Sequence, residues 1–413
     1  MENEKLQQLK DSILSGNVPQ LVLSTISLAI DMRSSDIHIE PQKNHVNIRF
    51  RIDGVLSPIV EYPINMHPAV ISRIKIMSEL KIDEQRVPQD GRTHVTTKDN
   101  RSMDLRVSTL PTVNGEKVVM RIQDKSKKIP DLGELGIEET NLKYFEEALT
   151  APNGIILTTG PTGSGKTTTL YSALSRLNKP EVNILTIEDP VEIQMEGLNQ
   201  SQVHPDINYT FAGGLRCALR QDPNIIMVGE IRDKETADIA MEASLTGHLV
   251  LSTIHTNSAI ETITRIINMG IPDYLIPATV ELIIAQRLVR RLCDCKKPIE
   301  PSPEHKIRVD KVLANMPDTI KNAHKELFEK IQFFGPVGCE KCGGIGYLGR
   351  VGLYEMLKMH DNIRRLILEG KTSIDIEIEA LKLGMLTLEY DGIFKALKGV
   401  TSVEEIYRVA RKS

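Results

Sequence analysis

The spacing of hydrophobic and polar residues gives the first part of the chain two patterns. Residues 1–30 carry apolar positions at helical spacing, which predicts one or two helices. From Asp36 onward, apolar and polar residues alternate as in half-buried strands, in IHIEP, VNIRFRIDGVL, GRTHVTT, DLRVSTL and EKVVMRI. A helical run, AVISRIKIMSELKI, interrupts these strands. We therefore predict a helical segment over residues 1–30 and an α+β domain over residues 31–124.

The second part of the chain alternates buried strands with helices. It follows a charged segment with Pro and Gly at residues 125–136, which we interpret as a linker. The strand-like runs are NGIILTTG, NILTIEDP, NIIMVG and HLVLSTIHT, and the alternation predicts a parallel sheet with helices on both faces. We assign residues 137–413 to this domain, with a helical C-terminal region at residues 360–413.

Composition narrows the classes of function. The chain has 413 residues and a formal net charge of −4, so it lacks the basic field typical of nucleic-acid-binding proteins. It has no apolar run near the roughly 18–20 residues that a membrane span needs, and its charged start has no signal-peptide core. Five cysteines in such a chain favour metal binding or incidental thiols over disulfides. We expect a cytoplasmic location.

A glycine-rich segment carries the clearest chemical signal. The sequence GPTGSGKT fits the phosphate-loop pattern G-x-x-x-x-G-K-[ST] and lies between a predicted strand and a predicted helix. Its glycines allow backbone N–H groups to face phosphate oxygens, its lysine adds a positive charge, and the hydroxyl of Thr167 suits Mg²⁺. The residues predicted to bind the nucleotide are Gly160, Pro161, Thr162, Gly163, Ser164, Gly165, Lys166, Thr167 and Thr168.

Charged or polar residues follow three further predicted strands. Glu230 follows IIMVG, where a carboxylate polarises water, holds Mg²⁺ through water, or forms a structural ion pair. Glu188 and Asp189 follow another strand and would lie at the carboxyl edge of the sheet, where ligands bind in such folds. His248 and His255 flank the third strand, and each is either a structural hydrogen-bonding residue or a functional sensor residue.

Arginines recur at strand positions of the first domain, in RFRIDG, QDGR, DLRVST and VVMRI. They form a solvated strand face, or one or two of them reach the γ-phosphate of a bound nucleotide. In the second domain, Arg216 and Arg220 are four residues apart, which predicts that they share one face of a helix. We predict that Cys217 is a core residue.

Four cysteines form two close pairs, Cys293 with Cys295 and Cys339 with Cys342. Four thiolates satisfy tetrahedral Zn²⁺ with no open position, which indicates a structural site. The first pair is C-x-C, one residue shorter than a standard zinc knuckle, and reduced thiols without zinc are the alternative. We assign residues 293–342 to a zinc-binding insertion.

Taken in order, these motifs resemble the secretion ATPase superfamily, in particular the type II secretion and type IV pilus assembly ATPases. The resemblance begins near Ser34 and includes SSDIHIEP, PQDGR, GPTGSGKTTTLY, TIEDPVE, GLRCALRQDPNIIMVGEIRD, SLTGHLVLSTIHTN and GRVGLYEML. It implies a RecA-like P-loop ATPase domain preceded by a smaller α+β (PAS-like) domain, with a zinc-binding insertion and a helical C-terminal end. Outside the phosphate loop, the site residues that it implies are Glu188, Glu230, His248, His255, Arg106, Arg121, Arg216 and Arg220.

The function implied by the resemblance is that of a homohexamer that hydrolyses ATP with Mg²⁺ and carries Zn²⁺. Nucleotide-driven closure of the first domain would move a polytopic inner-membrane platform protein, which adds subunits to a pilus or pseudopilus. The enzyme would lie at the inner face of the cytoplasmic membrane through its protein partners, without direct contact with nucleic acid. We expect the chain to lack the extra N-terminal domain that docks relatives to their membrane partner.

Several other functions remain as alternatives. They are a DNA-uptake or conjugation-type traffic ATPase, a pilus-retraction ATPase, and a zinc scaffold that binds nucleotide without hydrolysing it. The four cysteines imply the assembly-type branch, because retraction-type relatives generally lack them.

Overall fold

The structure, a computed structural model, describes residues 2–97, 102–124 and 128–410. The chain divides into two compact units, Met1–Lys128 and Ile129–Ser413, called here the first and second units. Within the described ranges, no helix combines the length and the apolar character that a bilayer crossing requires.

The first unit combines helices with one antiparallel sheet. Its helices are α1 (Glu2–Leu14), α2 (Val18–Asp31) and α3 (His67–Met77), and its strands are β1 (Ser34–Pro41), β2 (His45–Ile52), β3 (Val55–Pro63), β4 (Gln89–Thr96), β5 (Ser102–Thr112) and β6 (Gly115–Gln123). The strand order is β3-β2-β1-β6-β5-β4, and each neighbouring pair is antiparallel. These helices and strands confirm the elements predicted for this part of the chain.

Alternation along the strands builds the core of the first unit. In β2, the side chains of Val46, Ile48 and Phe50 are buried, whereas Asn47 and Arg49 between them are only partly covered. Residues of opposite character therefore face opposite sides of the sheet, which leaves one face free to carry charge.

The second unit is built around a larger sheet. Its helices are α4 (Glu139–Leu149), α5 (Lys166–Leu177), α6 (Phe211–Ala218), α7 (Lys234–Leu245), α8 (Ala259–Asn268), α9 (Leu275–Thr279), α10 (Pro303–Asn315), α11 (Asp318–Ala323), α12 (Glu326–Glu329), α13 (Asp361–Leu368), α14 (Ser373–Lys382), α15 (Leu388–Leu397) and α16 (Val403–Ala410). Its strands are β7 (Gly154–Thr159), β8 (Ile184–Glu188), β9 (Asn199–Gln202), β10 (Ile225–Val228), β11 (Leu249–Ile254), β12 (Val280–Leu292), β13 (Lys297–Ile299), β14 (Phe333–Gly335) and β15 (Tyr347–Lys358).

The main sheet has the order β15-β12-β7-β11-β10-β8-β9. All neighbouring strands run parallel, as predicted, except β12 and β15, which form an antiparallel edge that the sequence analysis did not predict. The chain leaves β12, passes through the cysteine-bearing insertion and returns as β15, so these two strands pair across a long separation in sequence.

Helices cover both faces of the main sheet, as predicted. Successive residues of β7 point to opposite faces: Ile155 and Leu157 join a core cluster with α7 and α8, whereas Ile156 joins another with α4 and α5. Burial on both faces explains why β7 contains the consecutive apolar residues IIL and why β10 consists of the apolar run IIMV.

The segment that was predicted to be a linker, residues 125–136, includes residues that pack into the second unit. Residues 125–127 lie outside the described part of the chain, but Leu132 and Leu135 form a short 3-10 turn and are buried in the core of the second unit. The prediction followed the charged residues, Pro and Gly of this segment and did not take account of its two leucines, which pack with α4 and α5.

Candidate nucleotide site and metal centre

The phosphate loop joins the end of β7 to the start of α5, as the sequence predicts. Two of its glycines have backbone conformations that other residues rarely adopt, with φ of 145° at Gly160 and 92° at Gly165. A Cβ atom at Gly160 would lie 2.5 Å from the backbone oxygen of Gln286, and one at Gly165 would lie 2.8 Å from Nε2 of the same residue. Only glycine fits at either position.

Gln286, on the neighbouring strand β12, forms the floor of this loop. Its Nε2 donates to the backbone oxygen of Ser164 at 2.8 Å, and its Oε1 accepts from Oγ1 of Thr169 at 2.9 Å. Sequence reasoning missed this residue. The available signal was the polar pair Gln286–Arg287 between the apolar residues LIIA and LV of β12.

The side chains of Lys166 and Ser164 place an ammonium group and a hydroxyl group inside the loop. The Nζ of Lys166 donates to the backbone oxygens of Gly160 at 2.7 Å and Pro161 at 3.3 Å. Burial lowers the pKa of Lys166 to about 8, against the opposing field of Glu230. The Oγ of Ser164 is buried and has no hydrogen-bond partner among the described residues, whereas Thr167 and Thr168 are exposed at the start of α5. A phosphate chain would satisfy these groups.

Glu230 and His255 lie together at the carboxyl edge of the main sheet. They follow the adjacent parallel strands β10 and β11, and Nε2 of His255 lies 3.4 Å from Oε2 of Glu230. Nη2 of Arg232 lies 2.5 Å from Oε1 of the same glutamate, and Asp233 caps α7 by accepting from Thr236 N. The segment GEIRD therefore presents one nearly enclosed carboxylate beside a histidine and an arginine.

Glu188 is the last residue of β8, and its side chain is engaged by neighbouring polar side chains. Its carboxylate is buried and accepts hydrogen bonds from Tyr171 at 2.5 Å, Thr186 at 2.6 Å and Gln200 at 3.1 Å. These three partners occupy both oxygens, so the structure gives Glu188 a role in holding α5 and β9 together. Direct contact with the nucleotide is not supported by this geometry. Asp189, the residue that follows, is exposed.

His248 lies at the opposite edge of the sheet from the phosphate loop. It precedes β11, whose first residue pairs with Gly154 at the start of β7, while the loop follows the end of β7. Its Nδ1 lies 2.8 Å from the backbone oxygen of Ala243 and 3.2 Å from Oγ1 of Thr246. This placement contradicts the assignment of His248 to the nucleotide-binding residues, because the whole length of β11 separates it from His255.

Arg216 and Arg220 do not share a helix face, because α6 ends at Ala218. Nη2 of Arg216 lies 2.7 Å from Glu235, and Arg220 folds back to donate to the backbone oxygen of Arg216 and to Sγ of Cys217. Cys217 is exposed, so the prediction that it is a core residue was wrong. Neither arginine makes a hydrogen bond to the phosphate loop in the described part of the chain.

Arg106 and Arg121 belong to a charged row across the sheet of the first unit. Strand register aligns Arg51, Asp36, Arg121, Arg106 and Arg92 on five neighbouring strands. Nε of Arg121 donates to Asp36 at 3.1 Å, and Nε of Arg51 lies 3.4 Å from the other oxygen of this carboxylate. A cavity of about 490 Å³ is lined by Asp36 and the last three arginines of the row. The four guanidinium groups of the row outnumber the carboxylates of Asp36 and Asp90, which also line this surface, so the surface is suited to an anion.

The four paired cysteines converge although they are far apart in sequence. The Sγ atoms of Cys293, Cys295, Cys339 and Cys342 all lie within 4.8 Å of one another. Three of the separations are 3.8, 3.8 and 4.0 Å, close to the roughly 3.8 Å between sulfurs that tetrahedral Zn–S bonds of about 2.3 Å require. The C-x-C spacing of the first pair is therefore compatible with a four-sulfur metal site.

Backbone amides support one thiolate of this cluster. The N–H groups of Cys339 and Gly346 donate to Sγ of Cys342 at 3.2 and 3.1 Å. Burial opposes ionisation of this thiol, but these bonds and the neighbouring thiols together lower its pKa to about 6. A donor set of four sulfurs, one of them ready to ionise near neutral pH, suits a soft divalent metal.

Comparison with known proteins agrees with this geometry. The model of the type II/IV secretion system protein family matches residues 12–408. The chain belongs to this family. It is 47% identical over 406 residues to the type IV pilus assembly ATPase PilB of Myxococcus xanthus, covering 98% of this chain and 70% of that protein. It is 46% identical over 407 residues to the type II secretion system protein E of Xanthomonas campestris, with the same two coverages.

The fold of this chain is also similar to that of a solved structure. The pilus retraction motor PilT with bound ADP matches with a TM-score of 0.58 and 27% identity, covering 93% of this chain and 95% of that one. The predicted fold class, a RecA-like ATPase domain with further α/β structure, is confirmed. Curated relatives are often longer, since the chain spans between 42% and 79% of their lengths. Membership of this ATPase family implies that the chain binds a nucleotide with Mg²⁺.

Nucleotide affinity is expected to fall as the pH rises through about 8. The lowered pKa means that Lys166 is neutral above this pH in the free protein, whereas bound phosphates favour its charged form. Binding must then take up a proton, and the affinity for ADP should drop about tenfold per pH unit. Calorimetric titrations at pH 7, 8 and 9, in buffers of different ionisation enthalpy, measure both the affinity and the proton.

A lysine-to-arginine variant is the control for this pH dependence. In Lys166→Arg the side chain stays charged throughout this range, so its affinity should not vary with pH, whatever its absolute value. An unchanged ADP affinity of the wild type from pH 7 to 9 would show that Lys166 is not the group that titrates.

Proposed function

We propose that the chain hydrolyses ATP with Mg²⁺ and that this reaction powers assembly of a type IV pilus or a type II secretion pseudopilus. The observation that carries the proposal is the Glu230–His255 pair at the sheet edge that also bears the phosphate loop. Glu230 is near enough to Lys166 to influence its ionisation, so the carboxylate and the phosphate-binding charge belong to one site.

The proposed chemistry divides the work among these groups. Backbone N–H groups of the loop and Lys166 bind the phosphates, and the hydroxyl of Thr167 binds Mg²⁺. Glu230 orients and polarises the attacking water, while His255 holds the carboxylate in position.

Arg106 and Arg121 are proposed to neutralise the charge that develops on the γ-phosphoryl group. Their support is twofold: the positively charged row in the first unit, and the match of DLRVST and VVMRI to the family pattern. Arginines that act in this way raise phosphoryl-transfer rates by roughly 10³–10⁵.

The partners are inferred from the relatives. Proteins 47% and 46% identical to this chain are named for pilus assembly and type II secretion, which supports assembly rather than retraction as the direction of action. We propose a homohexamer that binds a polytopic platform protein at the inner face of the cytoplasmic membrane. Affinity purification of the chain from crosslinked cells, followed by mass spectrometry, should recover such a membrane protein. Recovery of cytosolic proteins alone would contradict this partner.

A nucleic-acid motor built on the same ATPase core is the rival proposal. The net charge of −4 disfavours it. ATP turnover at low salt should therefore stay unchanged when single- or double-stranded DNA is added, and stimulation by either would favour the rival.

The four-cysteine cluster is proposed to bind one structural Zn²⁺. We expect Cys342→Ser to reduce bound zinc from about one ion per chain to nearly none and to lower the thermal midpoint, because three thiolates leave the metal with an open position. Elemental analysis after gel filtration measures the metal, and thermal unfolding measures the stability.

The chain supplies a matched control for this substitution. Cys217 is exposed and lies outside the cluster, so Cys217→Ser should retain zinc and stability. If Cys342→Ser kept a full equivalent of zinc, or if the wild type purified from zinc-containing medium held none, the proposal of a zinc site would fail.

A further inference from the structure

The residue after Gln286 is a buried arginine that the proposed chemistry does not use. Arg287 lies on β12 and only 5% of its surface is exposed. Its Nη1 donates to the backbone oxygen of Gln286 at 3.1 Å, and its Nη2 donates to the backbone oxygen and Oδ1 of Asn257 at 2.9 and 3.2 Å. All three acceptors are neutral. The guanidinium group of Arg287 is therefore hydrogen-bonded, but these contacts do not balance its positive charge.

No carboxylate in the described part of the chain lies within ion-pair distance of Arg287. Glu355 and Glu261 act on it only from longer range. Glu261 accepts from the backbone N–H of Asn257 at 3.0 Å, and Glu355 accepts from that of Ala259 at 2.7 Å. Burial also raises the pKa of Glu355 to about 7, so that carboxyl is partly neutral at neutral pH.

A buried charge without a close counter-charge is costly, and such charges are usually paired or bound to an ion. The nearest element that takes an anion is the phosphate loop. A Cβ atom on Gly160 would lie 3.2 Å from Nη1 of Arg287, and the field of Arg287 contributes to the lowered pKa of Lys166. Two positive charges thus meet at one loop.

We propose that Arg287 supplies a second fixed positive charge behind the phosphate loop, and that the phosphate chain of the bound nucleotide is its counter-charge. The proposal rests on the proposed function only in taking the ligand to be a nucleotide. It assigns Arg287 to nucleotide affinity rather than to the chemical step, because the guanidinium is held by Asn257 and Gln286 behind the loop.

Substitutions at Arg287 separate this electrostatic role from a structural one. In Arg287→Gln, the affinity of the full-length chain for ADP should fall about tenfold to hundredfold, as expected for the loss of one nearby charge at an intermediate dielectric constant. Arg287→Lys keeps the charge but loses the forked hydrogen bonds, and it should retain most of the affinity. The thermal midpoint of nucleotide-free Arg287→Gln should equal or exceed that of the wild type, because a buried unbalanced charge has been removed.

Arg291 provides the matched control, since it is an exposed arginine on the same strand. Arg291→Gln should bind ADP like the wild type. The inference is overturned if Arg287→Gln binds ADP with wild-type affinity, or if Arg287→Gln and Arg287→Lys lose affinity equally and both melt below the wild type. Those results leave the ATPase proposal intact, whereas ADP binding without any ATP turnover would defeat that proposal and leave Arg287 unaffected.

Discussion

Replacement of Glu230 by glutamine is expected to abolish ATP turnover and to preserve ATP binding. Glutamine keeps the size and a hydrogen-bonding oxygen but loses the negative charge that polarises the attacking water. We expect kcat to fall by at least about 10²–10³-fold, with an ATP dissociation constant equal to or lower than that of the wild type. Phosphate release and equilibrium nucleotide binding are measured on the same preparations.

The control for this substitution is Glu242→Gln. Glu242 is an exposed glutamate on α7, the helix that follows GEIRD, so the same loss of charge there should leave turnover unchanged. Turnover by Glu230→Gln within a few-fold of the wild type would remove Glu230 from the chemical step. Its contacts with Arg232 and His255 would then be structural ion pairs.

Loss of either Arg106 or Arg121 is expected to reduce kcat by about 10³-fold or more, with a much smaller effect on ATP binding. These side chains are proposed to act on charge that develops only as the phosphoryl group transfers, so they stabilise the transition state more than the bound substrate. The measurement is kcat for Arg106→Ala and Arg121→Ala, beside dissociation constants for a non-hydrolysable ATP analogue.

Arg86 is the control in the same unit. Its side chain is 88% exposed and pairs with Glu84, away from the charged row, so Arg86→Ala should hydrolyse ATP like the wild type. Equal turnover by all three variants would show that the row serves the first unit alone. Asp36 then has the simpler role of balancing its neighbouring arginines.

Local patterns predicted the elements of the fold because each element buries at least one face. Alternation in VNIRFRI and the continuous apolar run IIMV both correspond to strands, and the difference between them reflects one buried face against two. The antiparallel edge formed by β15, and the helices of the insertion, were missed. Their positions depend on long-range pairing with β12 that no local spacing encodes.

The phosphate loop was predictable because it is local: one strand end, a few glycines and one helix start. The partners of the loop were not, since Gln286 and Arg287 lie more than a hundred residues away in sequence and meet it only through strand order. The same reason explains the error at His248. Two histidines seven residues apart appear equivalent in sequence, but an extended strand places them at opposite edges of the sheet.

For the four paired cysteines, the sequence suggested a problem that is not present in the fold: the C-x-C spacing of the first pair appeared too short for a standard zinc site. The short spacing between Cys293 and Cys295 is accommodated in a turn between β12 and β13, and all four sulfurs still meet. Cys217 was misplaced because it lies in a helix that precedes an apolar strand, while its own position faces outward beside Arg220.

The central claim is that the nucleotide held by this loop is hydrolysed repeatedly, and one measurement tests it most directly. Phosphate release from MgATP is followed to well beyond one equivalent per chain, for the wild type and for Lys166→Ala. We predict steady multiple turnover by the wild type and none above background by Lys166→Ala. Release that stops at or below one equivalent, or that is equal in the two proteins, would contradict the claim and identify the chain as a nucleotide-binding scaffold.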